Sequence, residues 1–82
     1  MTFRAPAAGA LRAARLDTMT ALYDRRSGMT HLTAEVVPAI LEALAEGEAN
    51  VDMLALRLNT TEHAALTERL EELAAIGLVE RL

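Results

Sequence analysis

The sequence predicts an α+β domain in which short strands come first and three helices follow. Three observations carry this. A cluster of turn formers, Asp24-Arg25-Arg26-Ser27-Gly28, separates two segments able to form strands, which predicts a β-hairpin over residues 18–32. From Thr33 onward, apolar residues fall into three runs, in which three- and four-residue steps recur. Those runs are punctuated by residues that start or stop helices: Gly47, Asn50, Thr60-Thr61 and Gly77.

The chain has 82 residues, enough for one domain with a modest core. Its 52% apolar content argues for a packed globule and against disorder. With no cysteine there is no disulfide and no thiol-based metal or redox site, which fits a reducing cytoplasm. The start, Met1-Thr2-Phe3-Arg4-Ala5-Pro6, leads into no long apolar run, and Arg12 and Arg15 interrupt the next segment, so neither a signal peptide nor a membrane span is expected. Charge is uneven. Residues 1–32 hold five arginines against Asp17 and Asp24, a net of +3, while residues 33–82 hold three arginines against ten acids, a net of −7.

Within the hairpin, Gly28 supplies the positive φ that the loop needs. Pairing Tyr23 with Met29 sets Leu22 opposite Thr30 and Thr20 opposite Leu32. Leu22 and Leu32 then share a core-facing side, and Tyr23, Met29 and His31 share the open side. Residues 1–9, with Pro6, Gly9 and small alanines, read as a flexible N-terminal arm before a domain at 10–82. Residues 10–17 have helical propensity, and a helix over about 10–23 competes with the hairpin. A first strand is preferred there because a lone hairpin needs a third strand for stability.

Thr33 is expected to open the first helix by capping its N–H groups, with Glu35 and Pro38 in or near the first turn. Val37, Ile40, Leu41 and Leu44 form its stripe, and Gly47 ends it. Asn50 caps a short second helix through Leu58, whose buried side is Met53, Leu54, Ala55 and Leu58. Thr60 or Thr61 caps the third, in which His63, Leu66, Leu70 and Leu73 recur on one side. The expected core is Leu41, Leu44, Leu58, Leu66, Leu70 and Leu73. After Gly77 the segment Leu78 to Leu82 leaves as an extended tail.

Helix, short helix, turn, longer helix, then Gly77-Leu78-Val79-Glu80-Arg81 is the order of a winged-helix core. The hairpin phrase Leu22-Tyr23-Asp24-Arg25-Arg26-Ser27-Gly28-Met29-Thr30-His31-Leu32, with Ala39 to Gly47 after it, resembles the PqqD family, and in particular the PqqD-like peptide chaperones of the HPr-rel-A type. The most specific parts are Ser27-Gly28-x-Thr30-His31-Leu32 and the closing Gly-Leu-Val-Glu-Arg. The resemblance implies a winged-helix-like fold with three short N-terminal strands followed by three helices. It implies a non-catalytic, cytoplasmic recognition element that binds the leader segment of a ribosomally made precursor peptide and presents it to a modifying enzyme. It also places the peptide between the third strand, here Met29, Thr30, His31 and Leu32, and the third helix.

A sheet edge supports that role, because its unpaired N–H and C=O groups template an incoming strand. With Leu66, Leu70 and Leu73 inward, Ala65, Arg69 and Glu72 form a neighbouring stripe that completes the expected groove; a stripe through Glu68, Glu71 and Ala75 is the other choice. DNA binding or dimerisation is the alternative for a winged helix. Against DNA, Thr61 to Ile76 carries Glu62, Glu68, Glu71 and Glu72 with only Arg69, a net of −3 that repels phosphate. The free edge can equally pair with a second copy to give a homodimer. No nucleophile–base pair or phosphate cradle is present in the sequence, and two distant histidines lack metal-ligand spacing, so no catalysis, metal or cofactor is expected.

Overall fold

The computed structural model describes residues Met1–Leu82. The chain folds as β1 (Thr2–Arg4), β2 (Leu11–Leu16), β3 (Met19–Asp24), β4 (Met29–Ala34), α1 (Val36–Ala45), β5 (Ala49–Asn50), α2 (Val51–Leu58), α3 (His63–Ala75) and β6 (Glu80–Arg81). The fold is α+β and winged-helix-like, with two antiparallel three-stranded sheets, ordered β2-β3-β4 and β5-β1-β6. No helix is long and apolar enough to cross a membrane.

The first sheet is built by local turns. Leu16 pairs with Met19 across a two-residue Asp17-Thr18 turn, and Asp17 takes a φ of 46°. Aspartate tolerates that left-handed conformation better than most residues because its short polar side chain can hydrogen-bond locally. Residues 11–16 are therefore strand, and the competing helix over 10–23 does not form. The second turn is Arg25 to Gly28. The Gly28 N–H donates to the Asp24 carbonyl at 2.7 Å, and Gly28 sits at φ 77° as expected.

That turn corrects the expected register by one residue. Asp24, not Tyr23, pairs with Met29, so Leu22 lies opposite His31 and Ala21 opposite Leu32. Directly opposed side chains share a face, and a one-residue slip of one strand exchanges the faces of its partner. Leu22 therefore shares the inward face with Met29 and His31, whereas Leu32 and Thr30 join Tyr23 on the outward face. Thr33 corrects a second expectation. It lies in β4, buried, and its Oγ1 donates to the Thr20 carbonyl at 3.1 Å rather than capping α1. The helix begins at Val36 after Glu35, which makes no side-chain cap.

The three helices pack their stripes together. Asn50 Oδ1 accepts from the Met53 N–H at 2.8 Å, the expected cap of α2. Asn59 closes α2 in the left-handed conformation, and Arg57 reaches back to the carbonyls of Ala43 and Gly47 at the end of α1. Thr60 Oγ1 accepts from the Glu62 N–H just before α3. Gly77, at φ 78°, ends α3, and the Leu78 N–H returns to the Leu73 carbonyl. Of the expected core leucines, Leu44, Leu66, Leu70 and Leu73 are buried, and Leu41 and Leu58 pack half-buried at its margin. Met53 is exposed.

The second sheet departs from expectation. Residues 1–9 are not a loose arm, because Thr2–Arg4 is the central strand between β5 and β6. Phe3 pairs with Ala49 on one side and Arg81 on the other, and its side chain is fully buried. The Leu82 N–H donates to the Thr2 carbonyl at 2.8 Å, so the C-terminal tail is a strand rather than free. Leu78 and Val79 are buried with it.

Candidate functional site

In the first sheet β4 is an edge strand, bonded to β3 on one side only. Two depressions lie near the two ends of β4. Near the start of β4, Met29 and His31 line an open depression with Ile76 and Gly77, which follow the end of α3. Beyond the end of β4, Val36, Ala39 and Ile40 of α1 line a second depression with Ala65, Leu66 and Arg69 from the first half of α3. This second hollow is mostly apolar, with Glu62 and Arg69 among its polar lining.

The structure thus places Met29 and His31 at one depression and Ala65 and Arg69 at another. It does not bring them into one pocket. Thr30 and Leu32 lie on the outward face of the sheet through the pleat, so only their backbone belongs to the edge. Glu72 lines neither hollow and instead faces Arg69 at 3.5 Å. Exposed pairs of this kind contribute little to stability, which leaves the Arg69 guanidinium available to exchange partners. In the alternative stripe, Glu71 lies 3.9 Å from Arg81. His63 is exposed, with Nδ1 3.0 Å from Asp52 Oδ1 at the other end of α3.

Sequence reasoning missed Ile76, Gly77 and Arg26 as part of the first depression. Arg26 is the link. Its Nε and backbone N–H both meet Asp24 Oδ1 at 2.9 Å, Nη2 meets Oδ2 at 3.0 Å, and Nη2 also donates to the Gly77 carbonyl at 2.9 Å. The hairpin tip is therefore fastened to the end of α3. The signal for this lay in the Asp-x-Arg spacing, because an aspartate accepting from the N–H two residues on makes an Asx turn.

Hydrogen bonds from Arg26 hold the Asp24 carboxyl below its ordinary value of 3.8, against the opposing effect of its burial. A carboxyl with a lowered folded-state pKa stabilises the fold fully above its unfolded value, and that contribution disappears as pH falls through the folded one. Asp24→Asn should therefore lower the urea midpoint at pH 7, and the gap to wild type should close as pH drops below 3.8. A gap unchanged into strong acid would mean that the carboxylate does not hold the turn.

No group of three His, Cys, Asp or Glu side chains is placed to hold a metal ion. No family model, curated protein or solved structure matches the chain.

Proposed function

We propose that this chain is a non-catalytic peptide-binding module. It takes the leader segment of a ribosomally made precursor onto the free edge of β4 and presents it to a modifying enzyme in the cytoplasm, as the PqqD-like chaperones its hairpin phrase resembles do. The observation that carries the reading is the unpaired edge of β4, with Ile76 and Gly77 just after α3 beside its start and Ala65, Leu66 and Arg69 of α3 lining a hollow beyond its end. An added strand gains main-chain hydrogen bonds from the edge, and α3 supplies the second wall that an edge alone lacks. A strand passing along the β4 edge meets Met29 and His31 first and the apolar hollow at Ala65 and Leu66 last. Its side chains alternate between the wall and solvent, so selectivity comes from every second residue. The solvent side of α3 carries Glu68, Glu71 and Glu72, which suits a peptide better than a phosphate backbone.

The test is a titration of isotope-labelled protein with synthetic leader peptides encoded beside its gene, following amide shifts. Changes should centre on Met29 to Leu32 and on the Ala65 to Arg69 turn of α3. Arg69→Ala should weaken binding by no more than about fivefold, the range of an exposed charge contact, and less at high salt. Thr30→Pro should weaken it far more where that N–H serves the peptide, with amide dispersion checked to show that the hairpin survives. Shifts confined to α2 and β6, or a response to duplex DNA alone, would overturn the reading.

A further inference from the structure

The outward face of the first sheet is bare. Helices cover only one side of β2-β3-β4, and nothing in the chain covers the other. On it, Leu16, Met19, Tyr23 and Leu32 are 40 to 63% exposed, with small alanines between them. The register fixes their arrangement. Leu16 lies opposite Met19, Ala21 opposite Leu32, and Arg12 opposite Tyr23. Apolar side chains thus fill one end and middle of the face, and Tyr23 beside Arg12 marks the other end. Arg25 extends that end, because its N–H bonds the Ala10 carbonyl and it follows Tyr23 by two residues.

These two arginines differ from the other six. Arg4, Arg15, Arg26, Arg69 and Arg81 each meet a carboxylate, and Arg57 meets carbonyls. The Arg12 and Arg25 side chains have no hydrogen-bond or ion-pair partner, in a chain of net charge −4 with twelve acids. The strands contribute no carboxylate to this face, and Asp17 lies in the turn at the opposite end.

We infer that the outward face is a second docking surface, and that its occupant is an amphipathic helix of a partner protein with carboxylates at one end of its apolar side. Size and charge both select this occupant. Three strands of six residues span roughly 20 Å by 14 Å. One helix is about 10–12 Å across, and about 13 residues of it cover 20 Å. The face thus has room for one helix lying along the strands. A second copy stacked on this face would bring two more arginines and no strand carboxylate. A helix end bearing glutamates satisfies Arg12 and Arg25 while leucine-like side chains cover Leu16, Met19 and Leu32. The surface uses side chains of the face and none of the β4 backbone edge, so it stands whether or not a peptide binds the edge.

The test uses the full chain, isotope-labelled, and two synthetic helical peptides of equal leucine content. One carries glutamates at one end of its leucine side and the other carries lysines there. The glutamate peptide should shift the amides of Arg12, Met19, Tyr23 and Leu32. It should bind about tenfold more tightly than the lysine peptide, the scale of two exposed charge contacts. The double variant Arg12→Glu/Arg25→Glu should reverse that preference. Where the variant loses amide dispersion, wild type in about 1 M salt serves instead, because a Debye length near 3 Å should erase the preference. Equal binding of both peptides, shifts on the seam between β4 and α3, or concentration-dependent dimerisation through this face would each overturn the proposal.

Discussion

Phe3→Ala should remove about 3–5 kcal/mol of stability, the range for truncating a fully buried aromatic side chain. The reason is position. Phe3 is 0% exposed on the middle strand of the β5-β1-β6 sheet, between Ala49 and Arg81. Its ring belongs to the one hydrophobic core, with Leu22, Leu54, Leu70, Leu78 and their neighbours. A domain of this size holds a total of about 4–12 kcal/mol on the usual per-residue scale, so the loss is a large part of it. Urea denaturation followed by far-ultraviolet circular dichroism measures it. A loose arm over residues 1–9 would give no change, so a loss below about 0.5 kcal/mol, the surface range, would restore that reading.

Leu70→Ala should cost about 2–5 kcal/mol, with the larger values where the cavity cannot collapse. Leu70 is 0% exposed at the centre of the α3 stripe, flanked by buried Leu66 and Leu73. The informative control is Leu56→Ala on α2. Leu56 is 83% exposed, and its truncation should stay within about 0.5 kcal/mol. Equal losses at the two positions would show that α2 or α3 presents another face to the core.

The same helix marks a limit of the sequence. Helical spacing puts Leu54, Ala55 and Leu58 on the inner side and leaves Leu56 out, as the structure has it. It also puts Met53 inside, and Met53 is exposed. How far a residue at the margin of the stripe is covered follows from how α2 lies against α1 and α3. The β4 edge shows the same division. That Met29 to Leu32 forms an edge strand followed by a helix was legible, because Gly28 and the turn cluster are local signals. Which of those four side chains face α3 was not, because the pleat converts a one-residue error in register into the opposite face. The Asp24 side chain decided the register, by accepting from the Arg26 backbone and so starting the turn one residue later.

The sequence by itself determined the features whose causes lie within a few residues of one another. These are the three helices with their leucine stripes, the Asn50 cap, the glycine stop at Gly77 and the positive φ at Gly28. Tertiary structure alone decided the rest. Thr2–Arg4 carries no local strand signal; it is a strand because Ala49-Asn50 and Glu80-Arg81 approach it from distant parts of the chain. The segments lie far apart in the chain, and the packing of α1, α2 and α3 between them sets where they meet. The bare outward face has the same origin. The pleat alternates the side chains of β2, β3 and β4 between two faces, but which face the helices cover depends on where Leu22, Thr20 and Thr33 bury, and that is a property of the packed core.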